Sequence, residues 1–98
     1  MLVEFKNKHL KRICMDASYA AKEFSTRMAE AIHKRIDQIR SMDTVEHLVQ
    51  FNVGGCHKLK GNRKDQFAMD LVKGYRLIFI VKGENIQIAE IIEITDYH

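Results

Sequence analysis

The spacing of apolar residues changes period once along this chain, and that change leaves few architectures open. Phe24, Met28, Ile32, Ile36 and Ile39 follow one another at steps of four, four, four and three. Such steps line up on one face of a helix, and a methionine and isoleucine stripe of this kind is core material. Further on, "QFAMDLV", "YRLIFIV" and "IQIAEIIEI" are rich in β-branched and aromatic residues. They read as strands, divided by the hairpin signals Lys73-Gly74 and "KGEN". Helices first and an antiparallel meander of three strands afterwards predict an α+β fold, with the long helices packed on one sheet face.

Strong helix formers also run from Lys6 to Met15 and from about Ala17 to Met42. Asp43 and Glu46 have capping-box spacing and open a short helix through about Gln50. "LVEF", residues 2 to 5, reads as an edge strand, and Gly54-Gly55 breaks the helical pattern before a basic loop. At 98 residues and 46% hydrophobic, the chain suits a single domain over 1–98 with one core. Its apolar runs fall far short of the ~20 residues of a membrane span. Charges arrive by residue four, which does not suit a signal peptide. The expectation is a cytoplasmic protein with no membrane partner, whose Cys14 and Cys56 stay reduced and serve as packing residues.

The middle strand poses a problem. Tyr75, Leu77, Phe79 and Val81 point to one side, while Arg76, Ile78 and Ile80 point to the other. The helices can cover one face, so a partner protein, or the N-terminal strand and loops, should cover the second. Arg76 on that second face needs an anion. An ion pair with Glu90, Glu93 or Asp96 would serve, and so would a bound anionic ligand. A two-residue Lys73-Gly74 turn would set Leu71 opposite Arg76, with Ile91 on its other side. The terminal "DYH" would then lie at the Arg76 end of the sheet.

From Cys56 to Lys64, "CHKLKGNRK" holds Lys58, Lys60, Arg63 and Lys64 without an acid. Such a loop suits phosphate contacts, or simply solvation. It feeds the first strand of the meander at the end away from Arg76, so it must fold back to bring His57 and Lys60 near Arg76. His9, His33 and His47 sit in helical stretches as surface or boundary residues. His57 and His98, with Cys56 or Asp96, fall short of the converging ligands that zinc wants. Cleaving RNA needs no metal if one group takes a proton from the 2′-hydroxyl, another gives one to the 5′-oxygen, and cations meet the growing phosphate charge. Imidazoles near pKa ~6.5 suit the first two tasks, and lysine and arginine suit the third.

"HKLKGNRKDQFAMDL", then "YRLIFIV", then a closing "DYH" resembles the HigB branch of the RelE/ParE toxin superfamily, the toxins of bacterial type II toxin–antitoxin pairs. The resemblance covers the C-terminal half in order and spacing, and the helical half in pattern. It implies a small α+β domain and a metal-free, cofactor-free endoribonuclease that cuts messenger RNA on the translating ribosome. It also implies a cognate antitoxin with a helix-turn-helix DNA-binding domain, operator DNA being bound only through that complex. Carried over by motif, the catalytic set is His57, Lys60, Arg76, Asp96, Tyr97 and His98, with Lys58, Arg63, Lys64 and Lys73 as RNA contacts. Lys60 and Arg76 would meet the phosphate charge, a histidine would move protons, Tyr97 would stack on a base, and Asp96 would orient an imidazole. The superfamily also contains ParE-type gyrase inhibitors on the same fold, and a non-catalytic binding module is the other alternative.

Overall fold

The computed structural model describes residues 1–97, so His98, one of the expected catalytic residues, lies outside the described residues. Among the described residues there are four α-helices and five strands, an α+β fold as the period change predicts. Helices α1 (Lys8–Met15), α2 (Ala17–Glu23) and α3 (Thr26–Ser41) replace the two longer helices expected. The break comes at Phe24-Ser25, where Phe24 leaves helical geometry and the Ser25 hydroxyl accepts the Met28 N–H at 3.0 Å. A serine side chain that satisfies an orphan N–H favours a new helix start over continuation of the old helix. Helix α4 (Val45–Gln50) is capped by Thr44, not by Asp43, through a 3.3 Å bond from the His47 N–H.

The sheet has strand order β1-β5-β4-β3-β2, with β1 (Leu2–Phe5), β2 (His57–Lys58), β3 (Gln66–Asp70), β4 (Tyr75–Lys82) and β5 (Ile88–Asp96). The expected three-strand meander is its centre. "LVEF" is an edge strand as predicted, yet it joins β5 in parallel and so makes the sheet mixed. Lys82 fastens that edge, reaching Glu4 at 2.9 Å and Glu90 at 3.6 Å. The Met1 ammonium bonds the Met42 and Ile39 carbonyls beyond and at the end of α3, where the helix dipole favours a cation.

One face of the sheet makes the core. Met69, Leu77, Phe79, Ala89 and Ile91 are fully buried against Met28, Ile32, Ile36 and Ile39 of α3. Burying each such side chain is worth ~1.5–3 kcal/mol. Cys14 and Cys56 belong to this core as free thiols, and burial pushes their pKa values up to about 12 and about 11. They are packing residues, as expected. No helix among the described residues is long and apolar enough to cross a membrane.

Two bulges set the register on the other face, and both depart from the sequence reading. Lys73 and Gly74 form the expected tight turn, both with positive φ, 45° and 84°. The Tyr75 carbonyl, however, accepts the Leu71 N–H while the Tyr75 N–H donates to Val72, so Leu71 and Val72 share one partner. Asp70, and not Leu71, therefore stands opposite Arg76. On the other side of β4 the turn is longer than expected, with Lys82 opposite Ile88, and a second irregularity between Ile78 and Phe79 adds one more place, so Arg76 faces Thr95 and Ile91 pairs with Phe79.

Candidate active site

Paired residues in a ladder share a face, so the register defines two adjacent rows on the sheet face away from the helices. His57 pairs with Ala68, Ala68 with Ile78, and Ile78 with Glu93. The next row runs Asp70, Arg76, Thr95, and Gly55 continues it beside Asp70. Ala68 and Ile78 are fully buried yet stand apart from the main core, forming an apolar floor under this face. The chain thus buries its own second face at Ile78, while β1 extends the sheet edge.

The basic loop folds back for His57 but not for Lys60. His57 and Lys58 become β2 antiparallel to β3, while the Leu59 N–H donates to the Gln66 carbonyl and leaves Lys60 beyond the start of β3, at the end away from Arg76. The β2–β3 pairing brings His57 onto the same face as Arg76, two strands away and one row over, roughly 12 Å between Cα atoms by standard strand spacing. The 3-10 turn Val53–Gly55 precedes it, its two glycines in the left-handed region, Gly54 at φ 57° and Gly55 at φ 69°. A Cβ on Gly54 would come 2.7 Å from Arg35 Nε, and one on Gly55 would collide with the Asp70 carboxylate. A side chain at either position would be strained and would have to displace its neighbour. His57 Nδ1 lies 3.0 Å from the Gly55 carbonyl oxygen. A carbonyl can only accept, so Nδ1 carries the hydrogen and Nε2 of the neutral ring keeps its lone pair.

Arg76 is held from two sides. Its Nε is 3.6 Å from Asp70 Oδ1, and its guanidinium carbon stands 4.4 Å from the centre of the Tyr97 ring. The Tyr97 N–H donates to the Gly74 carbonyl at 3.0 Å, which fixes the last described residue against the β3–β4 turn. The partner of Arg76 is therefore Asp70, not Glu90, Glu93 or Asp96. Glu90 binds Lys82, and Glu93 binds Arg63 at 2.9 Å. Arg63 also donates to Gln66 Oε1 at 3.2 Å, so the guanidinium of this loop residue spans the face above β3, β4 and β5.

The remaining expected residues divide. Asp96 stands opposite Tyr75 at the end of β5 and is engaged by a partner. Lys60 and Lys64 flank the 3-10 turn Gly61–Arg63 and are exposed. Lys58 pairs with Phe67 and lines a depression with Val45 and Val49 of α4, so it faces the helix side, away from His57. Lys73 sits in the turn at the Arg76 end. Among the described residues, no three His, Cys, Asp or Glu side chains gather as metal ligands would.

Sequence reasoning missed Asp70, Gly55 and Arg35. Arg35 on α3 donates from Nε to the Asp70 carbonyl at 2.6 Å. The one available signal was the glycine pair, whose second member stands two residues before His57 and so shares its face.

No family model matches the chain, and no curated protein matches it significantly. A solved structure does: the YoeB/ParE toxin from Agrobacterium tumefaciens superposes with a TM-score of 0.68, covering 100% of both chains at 17% identity. At that identity the likeness concerns the fold, and the chain therefore has the fold of a YoeB/ParE toxin.

Proposed function

We propose that this protein is the toxin of a type II toxin–antitoxin pair and cleaves messenger RNA, most closely in the manner of HigB-type members of the RelE/ParE superfamily. The observation that carries the reading is the joining of His57, Arg76 and Tyr97 on one sheet face of a toxin fold. His57 Nε2, left as acceptor by the Gly55 carbonyl, takes the proton of a 2′-hydroxyl. The 2′-oxygen attacks the adjacent phosphorus, and the bond to the 5′-oxygen breaks. His98 supplies the proton that the departing 5′-oxygen takes up. Arg76 meets the charge that grows on the phosphate, Lys60 at the far end of β3 meets a neighbouring phosphate of the RNA, and Tyr97 offers a ring to a base as it backs the guanidinium. The products are a 2′,3′-cyclic phosphate and a free 5′-hydroxyl, with no metal or cofactor in the balance.

Lys64 and Lys73 extend the basic surface for the RNA backbone, and the natural setting is the translating ribosome in the cytoplasm. The partner is an antitoxin with a helix-turn-helix domain, which carries the pair to operator DNA. The printed name of the structural neighbour joins YoeB with ParE, so gyrase inhibition on the same fold is the second reading. Primer extension on a message incubated with ribosomes separates them, run beside His57→Gln, His98→Gln and a ribosome-free control. Cuts that need both histidines support the nuclease. Intact messages, with gyrase supercoiling blocked in a parallel assay, would transfer the reading to the second class.

A further inference from the structure

Asp70 is an odd residue to find on a surface meant for RNA. It is an acid, more than half exposed, set between two groups that would handle a phosphodiester. In the ladder it is the direct neighbour of Arg76 and the diagonal neighbour of His57. Its backbone carbonyl is clamped by Arg35 Nε at 2.6 Å, and Arg35 is itself steadied by Gln38 at 3.0 Å. Its two carboxylate oxygens face different ways. Oδ1 approaches Arg76 Nε at 3.6 Å, while Oδ2 packs where a side chain on Gly55 would stand.

We propose that Asp70 is a positioning residue of the site, its carboxylate wedged between the Gly55 turn that holds His57 and the Nε edge of Arg76. This rests on the nuclease reading above. A guanidinium with a carboxylate 3.6 Å from Nε and the Tyr97 ring 4.4 Å from its carbon is biased toward one orientation, and its two terminal nitrogens form the fork that suits a phosphate. The same carboxylate fills the space beside Gly55, whose carbonyl sets the His57 tautomer. An acid here repels RNA, so its presence costs affinity. Orientation is what it offers in return.

That opposition makes a sharp test. With Asp70→Asn, binding of a fluorescein-labelled, 2′-methoxy single-stranded RNA that resists cleavage stays the same or tightens, because a negative charge is gone. Single-turnover cleavage of a ribosome-bound message falls roughly tenfold or more, the scale of a misaligned catalytic group. The Arg76 Nε–H signal in a nitrogen–proton correlation spectrum moves to the position of a free arginine, and Asp70→Ala at this exposed site does the same. In an Arg76→Lys background the Asp70→Asn change adds little further loss, as coupled residues should behave. Unchanged cleavage, an unmoved Arg76 signal, or a parallel loss of RNA binding, cleavage and thermal stability would each overturn the proposal. If the unaltered protein cuts no message, the nuclease reading fails by itself, and the Arg76 signal alone then decides whether Asp70 orients it.

Discussion

The two faces of the sheet are built on different rules. Toward the helices, Met69, Leu77, Phe79, Ala89 and Ile91 are fully buried in a continuous apolar core. On the other side only the floor of Ala68 and Ile78 is buried, and above it charges are paired, Arg63 with Glu93 and Arg76 with Asp70. The first face stabilises the fold through transfer of apolar area from water, which depends little on exact partners. The second depends on which side chain meets which, because a guanidinium or imidazole acts only where its geometry is set. The contrast separates what makes the chain fold from what would make it act.

Changes on the helix-facing side should show this most strongly. Phe79→Ala, which empties a fully buried site stacked at 5.6 Å on Phe67, should cost about 3–5 kcal/mol in urea unfolding. Arg76→Ala should cost no more than about 1 kcal/mol by the same measurement, while abolishing message cleavage. Equal costs would erase the division. Gly55→Ala sharpens it from the middle: a left-handed backbone and a collision with Asp70 should lower stability by roughly 1–3 kcal/mol, with cleavage lost as well.

The buried thiols give a smaller effect with a defined pH window. Folding raises the Cys14 pKa from 9.0 to about 12 and that of Cys56 from 9.0 to about 11, so above pH 9 the unfolded thiols ionise first. Their contribution is complete below pH 9 and is lost as pH rises toward those folded values. Urea midpoints taken across that range should fall, and fall less steeply in Cys56→Ala. The smallest effect is expected at Glu93→Gln. Its pair with Arg63 is about 40% exposed on each side, so unfolding should shift by less than about 1 kcal/mol.

What was legible in the sequence follows the same division. The stripe Met28, Ile32, Ile36, Ile39 and the alternation of Leu77 and Phe79 are periodic signals summed over many residues, and both led to the correct core. The helix break at Ser25 went unread because a cap competes with propensity at a single position. The charged face was only half legible. Its end of the sheet was right, since Tyr97 does reach the β3–β4 turn, but the register was off by one between β3 and β4 and by four between β4 and β5. Doubling Leu71 and Val72 against Tyr75 turns Asp70 toward Arg76, and nothing in residue spacing announces a bulge. The partner of Arg76 was therefore misassigned, and Lys58 proved to face the helix side. His98 lies outside the described residues.

The most direct test of the charged face is the chemistry of the ends it leaves. A message programmed on ribosomes should be incubated with the unaltered protein and with Arg76→Ala, and the upstream fragment analysed for its 3′ end. A 2′,3′-cyclic phosphate made by the unaltered protein and absent with Arg76→Ala, at matching thermal melts, is the expected result. An intact message, or equal cutting by both proteins, would contradict it.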